Sequence, residues 1–224
     1  MSVDPSGWMP EIEHAPTAAW GYSDLREDSM YPAAVVSHVA QGYMTGLVGI
    51  AQQADPGKSW HFSIGRDGRI VQHVSIWDAA WHAGDVNAPT WSRFDGTNPN
   101  KQTVGIEHEG FSIPPGYAFD YLYSPENPWP EALVEASINV HRWVFGTCAN
   151  WIGVPSEDNV ITHSMLNTRS RAQDPGDLWL QTVRPRIIRT LGPSVPVVAP
   201  QSGGTVDIAS VRVLARELLT KLGG

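Results

Sequence analysis

Short apolar runs separated by turn signals mark out the first part of the chain. Residues 31–40, YPAAVVSHVA, have an apolar and β-branched centre, which predicts a strand that ends near His38. Residues 41–53 predict a short helix, which the turn signal ADPGK closes. Residues 59–65 and 69–75 alternate apolar and polar positions on either side of the turn RDG, and this pattern predicts a β-hairpin.

The middle of the chain combines short strands with a long polar loop. Residues 78–84 predict a short strand. Residues 84–102 are rich in Asn, Pro, Gly and Asp, and they predict a loop of the length that often carries function in compact domains. Residues 103–110, TVGIEHEG, then predict a buried strand.

A long helix, a strand and a second helix complete the predicted domain. Residues 129–153 carry apolar side chains at helical spacing, residues 159–163 predict a strand, and a helix is predicted to begin near Asp177. Because strands and helices alternate in mixed order, we predict a single α/β domain with a central mixed β-sheet flanked by helices. The domain would span residues 1–191, with its core at about 31–190.

The C-terminal part of the chain has a different character. Pro, Gly and Ser dominate residues 192–205, which predicts a linker, and residues 206–224 follow it. An amphipathic helix is predicted over 206–222. Its apolar stripe consists of Ile208, Val211, Leu214, Ala215, Leu218 and Leu222. This helix could dock on the domain, or it could serve self-association or targeting to a cell wall.

Composition narrows the classes of function. The chain has 224 residues, 42% of them hydrophobic, and no apolar run approaches the roughly 20 residues of a membrane span, so we expect no membrane partner. The formal net charge of −8 argues against nucleic acid as the main partner. The single cysteine, Cys148, excludes an intramolecular disulfide and a multi-cysteine zinc site. The acidic, proline-bearing N-terminus lacks the pattern of a secretory signal, so we expect a cytoplasmic protein as made.

Two histidines and one aspartate suggest a metal site. His38 and His163 each follow an apolar, strand-like run, and Asp174 lies eleven residues after His163, directly before Pro-Gly. Strand ends are where open α/β sheets build their sites, and two histidines with one carboxylate are a ligand set of catalytic zinc. The alternative is that each histidine is a hydrogen-bonded structural residue at the end of a strand.

The segment TVGIEHEG adds an independent constraint. Neighbouring side chains of a strand point to opposite faces, so Glu107 and His108 cannot face the same pocket. A glutamate in a buried strand is costly unless it has a partner or a task. Glu107 could act as a general base with a pKa raised by burial, or it could pair with an arginine such as Arg171.

Five motifs in a fixed order carry a resemblance to a known family. They are VVSHVAQG, SWHFSIGRDGRIVQH, AAWHAG, VGIEHEG and HSMLNTRSRAQDPGDLW. Together they resemble the zinc-dependent N-acetylmuramoyl-L-alanine amidases, a family that includes phage lysozyme-type amidases, bacterial recycling amidases and animal peptidoglycan recognition proteins. The similarity runs from about residue 31 to residue 190.

The resemblance implies a reaction and a set of site residues. The reaction is hydrolysis of the amide between N-acetylmuramic acid and L-alanine in bacterial peptidoglycan. One Zn²⁺ would be held by His38, His163 and Asp174, and Glu107 would be the catalytic glutamate. Three further motif residues are assigned to the substrate cleft or to positioning: His61, Trp81 and His82.

One position departs from the family pattern. Many members carry a lysine two residues before the ligand aspartate, where it is thought to stabilise the oxyanion, and this chain has Ala172 there. A guanidinium is an always-charged donor, so Arg171 or Arg169 could replace the lysine, and we favour Arg171 as a catalytic residue.

Three biological roles stay open on the sequence. A chain without a signal peptide could be a phage endolysin, which the C-terminal extension favours, or a cytosolic amidase that recycles wall fragments. A peptidoglycan-binding module without catalysis is the third possibility, and the presence of Glu107 and of the three ligand residues argues against it.

Overall fold

The computed structural model describes residues 6–18, 22–23, 31–53, 58–112 and 122–192. Within these segments the chain forms these strands: β1 (Glu13–His14), β2 (Tyr22–Ser23), β3 (Ala34–Val39), β4 (Phe62–Ile64), β5 (Ile70–Gln72), β6 (Ala79–Ala80), β7 (Thr103–His108) and β8 (Val160–Thr162). The α-helices of the same segments are α1 (Met44–Gln53), α2 (Pro99–Gln102), α3 (Glu131–Thr147), α4 (Ala149–Ile152), α5 (His163–Leu166) and α6 (Arg184–Leu191).

A mixed six-stranded sheet forms the centre of the described structure. Its strand order is β1-β5-β4-β7-β3-β8, and β4, β7, β3 and β8 run parallel to one another. Strand β5 is antiparallel to β4, as the predicted hairpin requires, and β1 adds to the edge in parallel with β5. Strands β2 and β6 form a separate antiparallel pair. The prediction of a single domain with a mixed central sheet flanked by helices is confirmed.

The two faces of the sheet differ because side chains alternate along each strand. On β7, Val104 and Ile106 join the main apolar core, which also contains side chains of α3 and α6. His108 lies on this same face, where its Nε2 is 3.0 Å from Ser137 Oγ. Glu107 therefore points to the other face, as the alternation in TVGIEHEG predicts.

The opposite face is covered at its two ends and is polar between them. Helix α1 packs Met44 and Leu47 near Trp60 at one end. At the other end Trp91, from the 84–98 loop, packs with Val36 of β3 in a second cluster. The buried side chains between these clusters are largely polar, and they include His61, Ser63, His82, Thr103, His38 and His163.

The predicted helix over 129–153 is correct in position but is interrupted. Helix α3 begins after Pro130 and ends at Thr147, and Cys148 leaves the helical region with φ −102° and ψ 17°. Helix α4 then continues to Ile152. Cys148 and Ile152 are both fully buried, so the change of direction keeps the end of the segment on the core.

The last helix begins at Asp177, as predicted, and it contains a π-helical turn over Trp179–Val183. Pro185 explains this turn, since it has no N–H to donate to the carbonyl four residues earlier. The preceding N–H, of Arg184, donates instead to Trp179 O, five residues back.

Other predictions differ in detail or fall outside the described residues. The loop over 84–102 ends in the short helix α2, and the strand before His163 continues directly into α5; neither helix was predicted. The linker and the amphipathic helix over 206–222 lie outside the described residues. No helix within the described segments is long and apolar enough to cross a membrane.

We expect buried histidines to make the fold sensitive to acid. Burial lowers the pKa of His73 to about 4 and that of His141 to about 4, despite hydrogen bonds to Ala15 O and Ser137 O. The folded state thus binds fewer protons than the unfolded chain between pH 6.5 and about 4. The free energy of unfolding should fall across that window by about 1.4 kcal/mol per pH unit for each histidine.

The His141→Gln variant isolates one of these groups. Urea unfolding of metal-free native and variant protein, repeated across the same pH window, should show a shallower loss of stability for the variant. Below about pH 4 the two curves should run parallel, because His141 is then protonated in both states. If stability changes with pH at the same rate in both proteins, His141 has the same pKa in the folded and the unfolded state, and the prediction is wrong.

Candidate active site

Parallel strand ends bring the predicted site residues together. His38 of β3 is the direct register partner of Glu107 on β7, so their side chains lie side by side on the polar face. Ser37 pairs with Thr162 of β8, which puts His163 in the row that follows, next to His38. The carboxyl ends of parallel strands are the usual position for a site in an open α/β sheet.

Asp174 reaches the same point from the loop after α5. Its Oδ1 accepts a hydrogen bond of 2.8 Å from the backbone N–H of Val39, the residue after His38. Its backbone carbonyl accepts one of 2.9 Å from the N–H of Ser164, the residue after His163. The aspartate is therefore anchored to the backbone beside each histidine.

The three side chains form a compact cluster. His163 Nδ1 lies 2.9 Å from Asp174 Oδ2, His38 Nδ1 lies 3.1 Å from His163 Nδ1, and His38 Nδ1 lies 3.6 Å from Asp174 Oδ2. His38 is only 1% exposed. Their possible ligand atoms all lie within 4.8 Å of one another, a spacing that suits a single metal ion. The structure thus brings together all three residues predicted as metal ligands.

Electrostatics at the cluster favour a bound cation. Burial lowers the pKa of His38, although the neighbouring Asp174 carboxylate opposes this effect. Burial alone would raise the pKa of Asp174, but hydrogen bonds with His163 and His38 hold it well below its usual range. The buried site therefore favours neutral imidazole at His38 and an ionised carboxylate, which are the protonation states that metal ligands require.

The partner of His163 identifies which of its nitrogens is available. His163 Nε2 lies 2.8 Å from the carbonyl oxygen of Ala83. A carbonyl only accepts, so Nε2 carries the proton, and Nδ1 of the neutral ring has a free lone pair. This lone pair faces the acceptor Asp174 Oδ2, and two acceptors at 2.9 Å require a cation or a proton between them. The donor set fits a divalent metal that binds nitrogen and oxygen.

Glu107 lies beside this cluster, and within the described segments it forms no ion pair. Burial raises its pKa well above the usual value, the charge of Asp174 raises it further, and Arg171 partly offsets both effects. Its Oε2 is buried and has no hydrogen-bond partner among the described residues. No ion pair within 4.0 Å joins Glu107 to an arginine of the described segments, so the alternative of a structural Glu–Arg pair finds no support.

The two candidate arginines, Arg169 and Arg171, differ in the effect of their charges on the site. Arg169, Arg171 and Ala172 are all exposed on the loop that leads to Asp174. Of the two arginines, it is Arg171 whose charge lowers the pKa values of both Glu107 and His38. The positive charge closer to the site is therefore that of Arg171.

The residues predicted for the substrate cleft occupy different places. His61 is fully buried and bridges backbone groups: the Gly105 N–H donates to its Nδ1 over 3.0 Å, and its Nε2 lies 3.1 Å from Asp78 O. His61 is therefore part of the packed interior and does not line an open cleft. His82 is buried against His38, with 3.0 Å between its Nδ1 and His38 Nε2. Trp81 is half-buried.

Sequence reasoning missed the polar groups that hold the loop around His82. The carboxamide oxygen of Asn100 accepts hydrogen bonds from the N–H groups of His82 and Ala83, at 2.9 and 2.8 Å. Asn100 itself lies in α2, within the segment predicted as a loop. An asparagine in a polar stretch is unremarkable in a sequence, so no local signal pointed to it.

The chain matches the family described as N-acetylmuramoyl-L-alanine amidase over residues 28–177. A comparison with curated proteins finds no match. Among solved structures, an AmpD derivative has 23% identity and a TM-score of 0.59, over 86% of this chain and 99% of its own. The N-acetylmuramoyl-L-alanine amidase LysC from Clostridium intestinale URNW has 16% identity and a TM-score of 0.52, over 80% and 98%. The endolysin amidase LysCS of the same organism has 18% and 0.51, over 81% and 97%. At these identities the solved structures establish a shared fold.

The Asp174→Asn variant should separate metal binding from folding. Asparagine keeps an oxygen for the Val39 N–H and replaces Oδ2 with an amide that can donate to His163 Nδ1. We expect the metal-free variant to be at least as stable as the native protein. Its affinity for a divalent metal should fall by more than the roughly 10–100-fold that loss of an outer-sphere partner costs.

Competition with a chromophoric chelator measures this affinity, and thermal unfolding of metal-free protein measures stability. The exposed carboxylate of Asp177 gives a matched control, since Asp177→Asn should leave metal affinity unchanged. Native affinity in Asp174→Asn would remove this carboxylate from the ligand set.

Proposed function

The chain belongs to the N-acetylmuramoyl-L-alanine amidase family, and from this we propose that it hydrolyses the amide between N-acetylmuramic acid and L-alanine in bacterial peptidoglycan. We further propose one zinc ion, held by His38, His163 and Asp174. The observation that carries the proposal is the convergence of three possible ligand atoms beside Glu107, whose buried Oε2 has no hydrogen-bond partner among the described residues. A family match over residues 28–177 supports the choice of substrate.

The ligand set supports zinc over harder cations. Two imidazole nitrogens and one carboxylate oxygen leave a fourth position open, which is the pattern of catalytic zinc sites. The chemistry that zinc supplies in such a site is Lewis acidity, which polarises a carbonyl and makes water a usable nucleophile near neutral pH. Calcium and magnesium prefer sites built mainly from oxygen ligands.

Glu107 is the proposed general base. Its carboxylate would take a proton from the attacking water as the new C–O bond forms at the lactyl carbonyl. The same proton would then pass to the nitrogen of L-alanine as the C–N bond breaks, leaving a carboxylate on the sugar and a free amine on the peptide. A pKa raised by burial suits both halves of this transfer, since the group must accept a proton and then release it.

Arg171 is the proposed donor to the oxygen that gains negative charge during attack. The loop places its charge close enough to influence Glu107 and His38, and a guanidinium remains charged at any working pH. This arginine would supply the positive charge that many family members take from a lysine at the position of Ala172. Trp81, half-buried, remains a proposed contact for the substrate.

The role we propose is that of a cell-wall-lytic endolysin. The extension over 192–224 beyond the domain favours this role over recycling of small wall fragments, and residues 206–224 are proposed to mediate self-association or contact with the wall. Similarity of fold to an endolysin amidase supports the same choice, although an AmpD derivative shares the fold as well.

Mass spectrometry of digested peptidoglycan tests the proposed reaction. Purified walls incubated with the protein should release stem peptides that begin at L-alanine. The peptides should vanish when a chelator is present and return when zinc is added back. Intact walls in every sample, with folded and zinc-loaded protein, would favour a binding module without catalysis. Rapid turnover of soluble muropeptides with intact walls left uncut would favour the recycling role.

The Glu107→Gln variant should lose turnover while keeping its fold. Glutamine has the same shape but cannot accept the proton, so the rate should fall by about 10²–10⁴-fold with zinc affinity retained. Glu109→Gln is the matched control. In the native protein, the two carboxylate oxygens of Glu109 accept hydrogen bonds from the N–H groups of Met44 and Arg66. We therefore expect Glu109→Gln to reduce stability but to keep near-native turnover.

The pH profile offers a second measurement on Glu107. A general base acts only when ionised, so activity should fall with acid through a pKa above the usual glutamate value of 4.5. If Glu107→Gln cleaves peptidoglycan at the native rate, the general-base assignment is wrong.

Paired arginine variants test the oxyanion donor. Arg171→Ala should lower kcat by about 10²–10³-fold, the cost of removing one oxyanion donor, with little change in KM. Arg169→Ala, on the same exposed loop, should stay close to native. Restoring activity by combining Arg171→Ala with Ala172→Lys would support the role further, whereas equal effects of the two arginine variants would argue against it.

A further inference from the structure

The Nε2 atom of His38 begins a series of buried polar contacts. His38 Nε2 lies 3.0 Å from His82 Nδ1, and His82 Nε2 lies 3.1 Å from the hydroxyl oxygen of Thr103. The Thr103 hydroxyl in turn donates to the carbonyl oxygen of Pro99 over 2.7 Å. His38, His82 and Thr103 are each no more than 7% exposed, so water has little access to compete for these contacts.

The hydrogen bond from Thr103 to the carbonyl of Pro99 determines which atom donates and which accepts in each of the other contacts. The carbonyl of Pro99 can only accept, so the single proton of the Thr103 hydroxyl is committed there. Thr103 Oγ1 must then accept from His82 Nε2, which leaves His82 Nδ1 as the bare nitrogen of a neutral ring. His82 Nδ1 accepts in turn from His38 Nε2–H, and the free lone pair of His38 is placed on Nδ1, toward Asp174.

His163, the second histidine of the cluster, is held in the same tautomer, with its proton on Nε2, by a contact with Ala83. His163 Nε2–H donates to the carbonyl of Ala83, and Ala83 directly follows His82. Asn100 joins the two, because its carboxamide oxygen accepts from both backbone N–H groups. One short segment thus supplies the partner of Nε2 in each histidine, and the Asn100 side chain binds the backbone of both residues in that segment.

We propose that the segment His82–Ala83, held by Asn100 and Thr103, fixes both imidazoles with Nδ1 unprotonated and so prepares the cluster for its metal. His82, Thr103 and Asn100 are positioning residues in this proposal, and none of them is a metal ligand. The inference rests on the proposed function in one respect, which is that a metal binds between His38, His163 and Asp174. It also gives His82 a task different from substrate binding.

Gly105 is an independent sign that the position of His82 is built into the fold. A Cβ placed on Gly105 would lie 2.4 Å from Cγ of the His82 ring, closer than real side chains approach. Gly105 lies two residues before Glu107 on β7, so the His82 ring lies against the strand that carries the proposed base. A strand interior disfavours glycine, and close approach of the ring accounts for its presence there.

A pair of Thr103 variants tests the proposal. Thr103→Val has nearly the same shape but no hydroxyl, so it removes the acceptor that fixes the tautomer of His82. Thr103→Ser keeps the hydroxyl. We expect zinc affinity, measured by competition with a chromophoric chelator, to fall about 10–100-fold in Thr103→Val and to stay near native in Thr103→Ser.

Nitrogen NMR of the zinc-loaded protein provides a readout that packing alone would not move. A His38 Nε2–H···Nδ1 His82 bond should give a scalar coupling between the two ring nitrogens. The coupling should be present in the native protein and in Thr103→Ser, and weakened or absent in Thr103→Val. Its absence from the native protein would overturn the proposed bond direction.

A second pair of variants keeps the test decisive if Thr103→Val does not fold. His82→Asn retains an acceptor near the position of Nδ1, whereas His82→Leu removes it, so zinc affinity should fall more in the leucine variant. His73 is the matched control for loss of a buried histidine, since its ring nitrogens contact Ala15 O and Ser63 Oγ. His73→Asn should lower stability without changing zinc affinity.

The outcomes separate this proposal from the one it rests on. Native protein that binds no zinc would contradict the proposed function itself. Native protein that binds zinc, with equal affinity in both members of each variant pair, would leave the metal site intact and overturn the positioning role of His82 and Thr103.

Discussion

Three possible metal-ligand atoms meet at one point in this protein. His38 Nδ1, His163 Nδ1 and Asp174 Oδ2 lie 2.9 to 3.6 Å apart, and lone pairs at such distances repel unless a cation or a proton is shared among them. The fold holds this arrangement from outside, through the Val39 N–H on Asp174 and the Ala83 carbonyl on His163. Much of the polar face of the sheet can be understood as support for this one contact.

The sheet can contain such a site because one of its faces is apolar and the other is polar. One face packs apolar side chains such as Val104 and Ile106 against α3 and α6, and this burial stabilises the domain. The other face buries polar groups, each of which costs free energy unless it is hydrogen-bonded. His61, bridged to Gly105 N and Asp78 O, shows how that cost is met with backbone partners.

Sequence reasoning reached the parts of the site that strand geometry controls. Alternation along β7 was enough to put Glu107 and His108 on opposite faces, and apolar runs were enough to put His38 and His163 at strand ends. The links from Thr103 through His82 to His38 could not be predicted in this way. They join residues far apart in the chain through loops whose course depends on the completed fold, and no periodic pattern records such a path.

The same geometry separates two properties that are often treated together. The groups that orient the two proposed histidine ligands lie in buried strands and in the segment His82–Ala83, where packing leaves little freedom. The proposed oxyanion donor, Arg171, lies on an exposed loop, and Ala172 beside it has no functional group. The orientation of the two histidine ligands should therefore depend on the interior of the domain, and catalytic rate on exposed positions of a surface loop that can change with little cost to folding. An arginine can take over a role from a neighbouring lysine position in such a loop, because a long cationic side chain needs only to reach the site.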